Sequence, residues 1–350
     1  MDHMGILRRA WRILWSYRAL WVFGIILALT TGGSGSGNNG GQVSSDEGPN
    51  IDIIESLPED VQEDFEELSE FFEELPVENL LPAMIAVGVV LACVIALLFV
   101  AFKIARYVSE VALIRMVDDY EETGERVGVR QGFRLGWSRS AWRLFLIDLV
   151  IDIPAFIVIV LLLLLAAAPV LISMGLRGGT PGLVALVTTI GLGFLVIFLV
   201  IIAAVGLSLL KHFFRRTCTL EQSGVFESIR RGYATVRQNL KDVGLMWLLM
   251  VGVTIGFAIV TIPVAVLLLV IGVVAGGGVG LAGLGLARLV SEGAIPWIVA
   301  GALGIPIFLV VLVVPLLILS GLREVFRSST WTLTYREAQA LESLEPGEQA

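Results

Sequence analysis

Residues 211–249, KHFFRRTCTLEQSGVFESIRRGYATVRQNLKDVGLMWLL, decide how the chain reads. A basic, amphipathic segment lies here between two long apolar runs, the pattern of a surface helix joining two stretches suited to cross a membrane. Within it, Ile229-Arg230-Arg231-Gly232-Tyr233 has a close copy in Val129-Arg130-Gln131-Gly132-Phe133 and a fainter one in Leu7-Arg8-Arg9-Ala10-Trp11. The chain thus reads as one unit used three times, over residues 5–122, 127–222 and 225–337 of a single membrane domain, 1–350. Each unit is a basic amphipathic helix followed by a transmembrane hairpin.

The composition agrees with this. Hydrophobic residues make up 56% of the chain and charged residues 16%, with a mean hydropathy of +0.87. A soluble domain carries about a quarter charged residues. Spans of ~20 apolar residues are expected at Ala19 to Thr31, Leu80 to Phe102, Leu144 to Ile172, Leu183 to Leu210, Val243 to Ala275 and Pro296 to Leu322. The first is short and crosses only if Trp15 to Arg18 join it. The fold class is an all-α polytopic membrane protein with six spans and both termini on one side. Lys and Arg accumulate on the cytoplasmic side, and placing the termini there puts 22 of the 24 basic residues inside. The expected location is the bacterial cytoplasmic membrane. The first apolar run has no small-residue cleavage pattern and reads as a retained span.

The net charge of −8 is unevenly spread. Fourteen of the 32 acids lie between Asp46 and Glu78, in an acidic extracytoplasmic insertion over 32–79, which leaves +6 for the rest. The expected partners of the basic inner face are membrane lipids with anionic headgroups, and no nucleic acid, since no compact basic module is present. The insertion opens with a Gly-Ser-Asn linker over 32–50 and continues into an amphipathic helix over about 57–75. That helix either packs its apolar stripe on its own protein or docks a protein partner. Further along, 127–143 reads as the second surface helix, and Trp137, Trp142, Trp331 and Tyr335 suit a headgroup boundary. Ala275 to Leu286, AGGGVGLAGLGL, fits a tight turn or a closely packed helix.

Asp148 and Asp152 stand four apart on one face of the third span. Carboxylates there are costly and call for a partner; Lys103, Arg106, Lys211 and His212 are the candidates. The favoured reading is structural, a buried ion pair tying hairpins together or shallow carboxylates reaching cytoplasmic water. The alternative is a proton or cation site in a small permease or ion-coupled transporter.

Catalytic and cofactor chemistry finds little support. His3 and His212 are the only histidines, and there is no P-loop, paired-Cys spacing, His-Glu-x-x-His or Gly-x-Ser-x-Gly. No catalytic, metal or cofactor residues are expected. Cys93 and Cys218 are placed too far apart in the expected topology to pair.

Thr217-Cys218-Thr219-Leu220-Glu221, Gly224-Val225, Ser228 to Tyr233 and Val236-Arg237-Gln238-Asn239, with the closing Trp331 to Glu337, carry a resemblance. Together they look like uncharacterised bacterial six-span proteins related to the glycerophosphoryl diester phosphodiesterase membrane-domain family. The resemblance implies membrane hairpins with interfacial helices; without a catalytic barrel it implies no phosphodiesterase activity. The reading that follows is a non-enzymatic membrane protein that organises lipid or partner proteins.

Overall fold

The computed structural model describes residues 1–31, 77–177, 182–290, 293 and 295–344. Among the described residues every regular element is a helix: α1 (His3–Ser16), α2 (Ala19–Thr30), α3 (Val77–Thr123), α4 (Val129–Gly136), α5 (Arg139–Arg177), α6 (Leu183–Leu220), α7 (Val225–Gln238), α8 (Leu240–Ala287) and α9 (Ile295–Leu344). The linker and the acidic helix expected at 57–75 lie outside the described residues. Residues 77–79, expected in the insertion, open α3.

Among the described residues five helices are long and apolar enough to cross a membrane: Val87–Thr123, Arg139–Met174, Leu183–Leu220, Leu240–Ala287 and Ile295–Leu341; the bent pair α1 and α2 makes a sixth if counted as one span. The chain turns by 100° between α1 and α2. Trp15 and Ser16 therefore end α1 and do not lengthen the first span, which keeps ~18 Å of described helix at 1.5 Å per residue.

Local chemistry explains the ends. Asp2 accepts a hydrogen bond from the Gly5 N–H at 2.9 Å and caps α1, whose Ile6, Ala10, Ile13 and Leu14 recur at three- and four-residue steps and are buried. α3 stops at Gly124, which takes φ +71° while its N–H closes on the Tyr120 carbonyl at 2.9 Å. The second surface helix is shorter than the expected 127–143. It breaks at Trp137, whose N–H bonds the Phe133 carbonyl, and Arg139 already begins α5. Gly136 is closely seated at the break: a Cβ there would press on the Val108 carbonyl oxygen and lie 3.0 Å from the Ala112 side chain.

The chain divides into two compact units. The first comprises Met1–Gly24, Arg106–Val253 and Glu324–Ala350. Its core joins faces of α3 (Tyr107, Val111), α5 (Leu144, Ile147) and α6 (Phe214, Cys218), with Val225 and Ile229 of α7 packed on them. Each pair is three or four residues apart, the spacing that stacks side chains on one helix face. α9 contributes an almost wholly buried stretch from Glu324 to Tyr335. Trp331 and Tyr335, expected at a headgroup boundary, are only 2% and 1% exposed. α9 continues as one helix well past its span, so both rings pack on Phe213 of α6 instead of reaching the surface.

The second unit comprises Ile25–Ala105 and Thr254–Arg323. Within it α3 exposes its apolar side chains from Val87 to Phe102, an outside-in arrangement suited to lipid. Ala275 to Leu286 is helical, the second of its two expected forms. Gly276 and Gly280 of α8 lie against Gly304 and Ala300 of α9, where small residues admit close backbone approach. Cys93 and Cys218 are both free thiols, the first exposed and the second buried.

Candidate functional site

α5 and α6 pack side by side, and their charges reveal the register. Arg215 reaches both carboxylate oxygens of Asp148, at 2.7 and 2.8 Å, and Lys211 bonds Asp152. Two acids one turn apart on α5 meet two bases one turn apart on α6 in reverse order, as an antiparallel pair requires. Arg215 also holds Glu110 of α3 at 2.7 Å, and the Tyr107 hydroxyl donates to Asp148 at 3.0 Å. One guanidinium therefore ties three helices through two carboxylates. Its fork geometry suits it to the task better than an ammonium.

The knot extends to α9. Arg216 is 3% exposed, yet among the described residues its guanidinium finds only backbone acceptors, the carbonyls of His212 at 2.8 Å and Ser328 at 3.1 Å. His212 stacks on Trp331, ring centroids 5.0 Å apart. Around them Ser109, Glu110 Oε2, the Nε atoms of Arg215 and Arg216, Ser328, Ser329 and Thr330 are buried side-chain groups with no hydrogen-bond partner among the described residues.

The expected partners of the acid pair need correction. Only Lys211 forms one of the ion pairs, with Asp152. Lys103 belongs to the second unit and lies over the Phe99 ring at 5.2 Å; Arg106 lies over Tyr107 at 5.9 Å; His212 is taken up by its stack. Arg215, which the sequence reading passed over, is the central partner. A signal for it existed, since Lys211 and Arg215 repeat the four-residue step of Asp148 and Asp152. The two acids also differ in surroundings: Asp148 is buried, whereas the Asp152 side chain is 59% exposed.

The repeated motifs present a second set of residues. Ala10, Gly132 and Gly232, each the fourth residue of its five-residue motif, are buried in α1, α4 and α7. A Cβ on Gly132 would press on Met116 and lie 2.9 Å from the Phe23 ring; one on Gly232 would lie 2.7 Å from the Phe214 ring. This close seating turns the neighbouring residues outward. Trp11, Phe133 and Tyr233 are 52%, 45% and 52% exposed, and Arg8, Arg130 and Arg230 are exposed as well. Trp15, Trp137 and Trp142 add further exposed rings. The remaining arginines of the motifs pair with acids at the surface: Arg9 pairs with Glu337, and Arg231, itself exposed, bonds Glu221 at 2.9 Å and Glu227 at 2.7 Å.

No group of three or more His, Cys, Asp or Glu side chains suited to a metal occurs among the described residues. Residues 7–328 match the model of a family of unknown function, DUF7544. No curated protein and no solved structure matches the chain. The comparisons carry no link to the glycerophosphoryl diester phosphodiesterase membrane-domain proteins.

Proposed function

The chain belongs to the DUF7544 family, whose function is unknown, and from there we propose a non-enzymatic multi-pass membrane protein that organises anionic lipid at the cytoplasmic face. In this reading both termini are cytoplasmic, and the molecule is built from three repeats, each with a short basic helix, α1, α4 or α7, ahead of two apolar ones. The observation that carries it is the shared outward pair on each short helix: Arg8 with Trp11, Arg130 with Phe133 and Arg230 with Tyr233, each beside a buried small residue. Aromatic rings belong at the headgroup level, and arginine next to them meets lipid phosphate. The acid pair serves as a fastening in this picture. What supports that over a carrier site is that both oxygens of Asp148 are engaged by Arg215.

Hydrogen exchange of the protein in nanodiscs tests the proposal. Backbone amides of α1, α4 and α7 are expected to exchange more slowly in phosphatidylglycerol than in phosphatidylcholine. Arg8→Gln/Arg130→Gln/Arg230→Gln removes most of that difference, at ~1 kcal/mol per juxtamembrane base. Salt near 1 M, where the Debye length is ~3 Å, also erases it. Equal exchange in the two lipids at low salt would refute the reading.

A further inference from the structure

The elbow between α1 and α2 holds an open cavity of about 600 Å³, lined among others by Trp15, Ser16, Tyr17, Arg18, Arg126 and Val127. It lies within the first unit, so its two walls, the elbow and the α3–α4 loop, belong to one compact body. Their joint is firm: the Tyr17 hydroxyl donates to the Val127 carbonyl at 2.8 Å, the Tyr17 ring packs on Tyr120 at 5.6 Å, and the Trp21 indole N–H donates to the Leu14 carbonyl at 2.7 Å. The arginines take no part in this scaffold. Among the described residues neither guanidinium has an ion pair or hydrogen bond, and no acid lines the cavity. The Ser16 hydroxyl is likewise buried without a partner.

Two unpaired guanidiniums, a hydroxyl and two aromatic walls form a site for a phosphate group. We propose that this elbow binds a phosphate monoester or diester, and that its natural source is the headgroup of an anionic phospholipid. Guanidinium forks match phosphate oxygens in pairs. The start of α2 contributes its positive dipole end. The first turns of α2, Ala19 to Gly24, carry no charged residue and expose Val22, so a lipid whose headgroup sits at the elbow has apolar surface beside it. The lipid assignment rests on the membrane-face reading above; the phosphate site does not.

Native mass spectrometry of the full chain in detergent, titrated with phosphatidylglycerol or phosphatidylcholine, tests the site. Arg18→Gln/Arg126→Gln is expected to weaken phosphatidylglycerol binding by more than roughly tenfold, as the loss of two charge-assisted contacts requires. Arg134→Gln/Arg237→Gln, at two exposed arginines outside both the elbow and the outward pairs, serves as the charge-matched control and has a smaller effect. Arg18→Lys/Arg126→Lys, which keeps charge but loses the fork, falls between, and its binding decides the matter if the glutamine variant misfolds. Displacement of phosphatidylglycerol by inorganic phosphate or glycerol 1-phosphate assigns the site to a soluble phosphate ligand; binding that these ions leave untouched assigns it to lipid. Wild-type affinity in both elbow variants, with no effect of either ion, overturns the proposal. Slow exchange of α4 and α7 in anionic nanodiscs would survive that outcome, so the site fails separately from the function.

Discussion

Arg215→Met is expected to destabilise the protein by about 3–5 kcal/mol, the scale seen when one partner of a buried ion pair is removed. The argument lies in what remains. Glu110 and Asp148 are both buried, and the guanidinium that bridges them is the only base that either touches among the described residues. Without it two carboxylates sit unpaired in the core, close enough to share one arginine and therefore to repel each other. The triple variant Arg215→Met/Glu110→Met/Asp148→Asn removes the charges together and keeps an acceptor for the Tyr107 hydroxyl. It is expected to recover most of the loss, since well-packed neutral replacements of a buried ion cluster are often tolerated. Denaturant titration of purified protein, followed by near-ultraviolet circular dichroism, measures both. Equal stability of Arg215→Met and wild type would show that the knot does not hold these helices.

Lys211→Met provides the contrast. Its partner Asp152 is exposed on the spanning part of α5 beside exposed Ile153 and Phe156, so this pair faces lipid where Arg215 and Asp148 face protein, and losing Lys211 leaves a carboxylate there at a cost of up to about 3 kcal/mol. A carrier that depended on the acid pair would show the reverse sensitivity in function. Asp152 would then control solute-dependent proton uptake, and Asp152→Asn would abolish it.

The long apolar runs made most of the helices legible, because run length and the absence of charge are sufficient to specify a span. Thr123-Gly124 marked the end of α3 for a reason equally local, the positive φ that Gly124 adopts. The pairing of charges was harder to read. Whether Asp148 meets Arg215 or Lys211 depends on the register of α5 against α6, which the loop between them sets and no single residue announces. Trp331 and Tyr335 were misplaced for a related reason. An aromatic residue next to hydroxyls suits a headgroup boundary and a polar helical core equally well, and only the length of α9 beyond its span distinguishes them. The elbow cavity stayed hidden because Arg18 and Arg126 are far apart in sequence and are brought together by the Tyr17–Val127 hydrogen bond.

Gly276→Leu tests the other half of the molecule, where an ambiguous sequence resolved into a close crossing. Gly276 and Gly280 are four apart on α8, and Ala300 and Gly304 are four apart on α9, so each helix offers a groove of small residues to the other. A Cβ on Gly276 would lie 2.7 Å from the Gly304 carbonyl oxygen and 2.8 Å from Phe308, and a Cβ on Gly304 would lie 2.7 Å from the Gly276 carbonyl oxygen. The carbonyl oxygens are backbone atoms and the Phe308 atom is its Cβ, so no side-chain rotation relieves the overlap and the helices must separate. Overpacking of this kind costs typically 1–3 kcal/mol, and a leucine in place of hydrogen belongs at about the upper end. Gly277 points into open space on the same stretch, and Gly277→Leu is expected to cost little. An SDS titration in mixed micelles compares the two. Comparable midpoints for both variants would mean that α8 and α9 do not cross at Gly276. A large drop confined to Gly276→Leu would establish the glycine run as a packing face, and hence explain why this apolar segment dispenses with larger side chains.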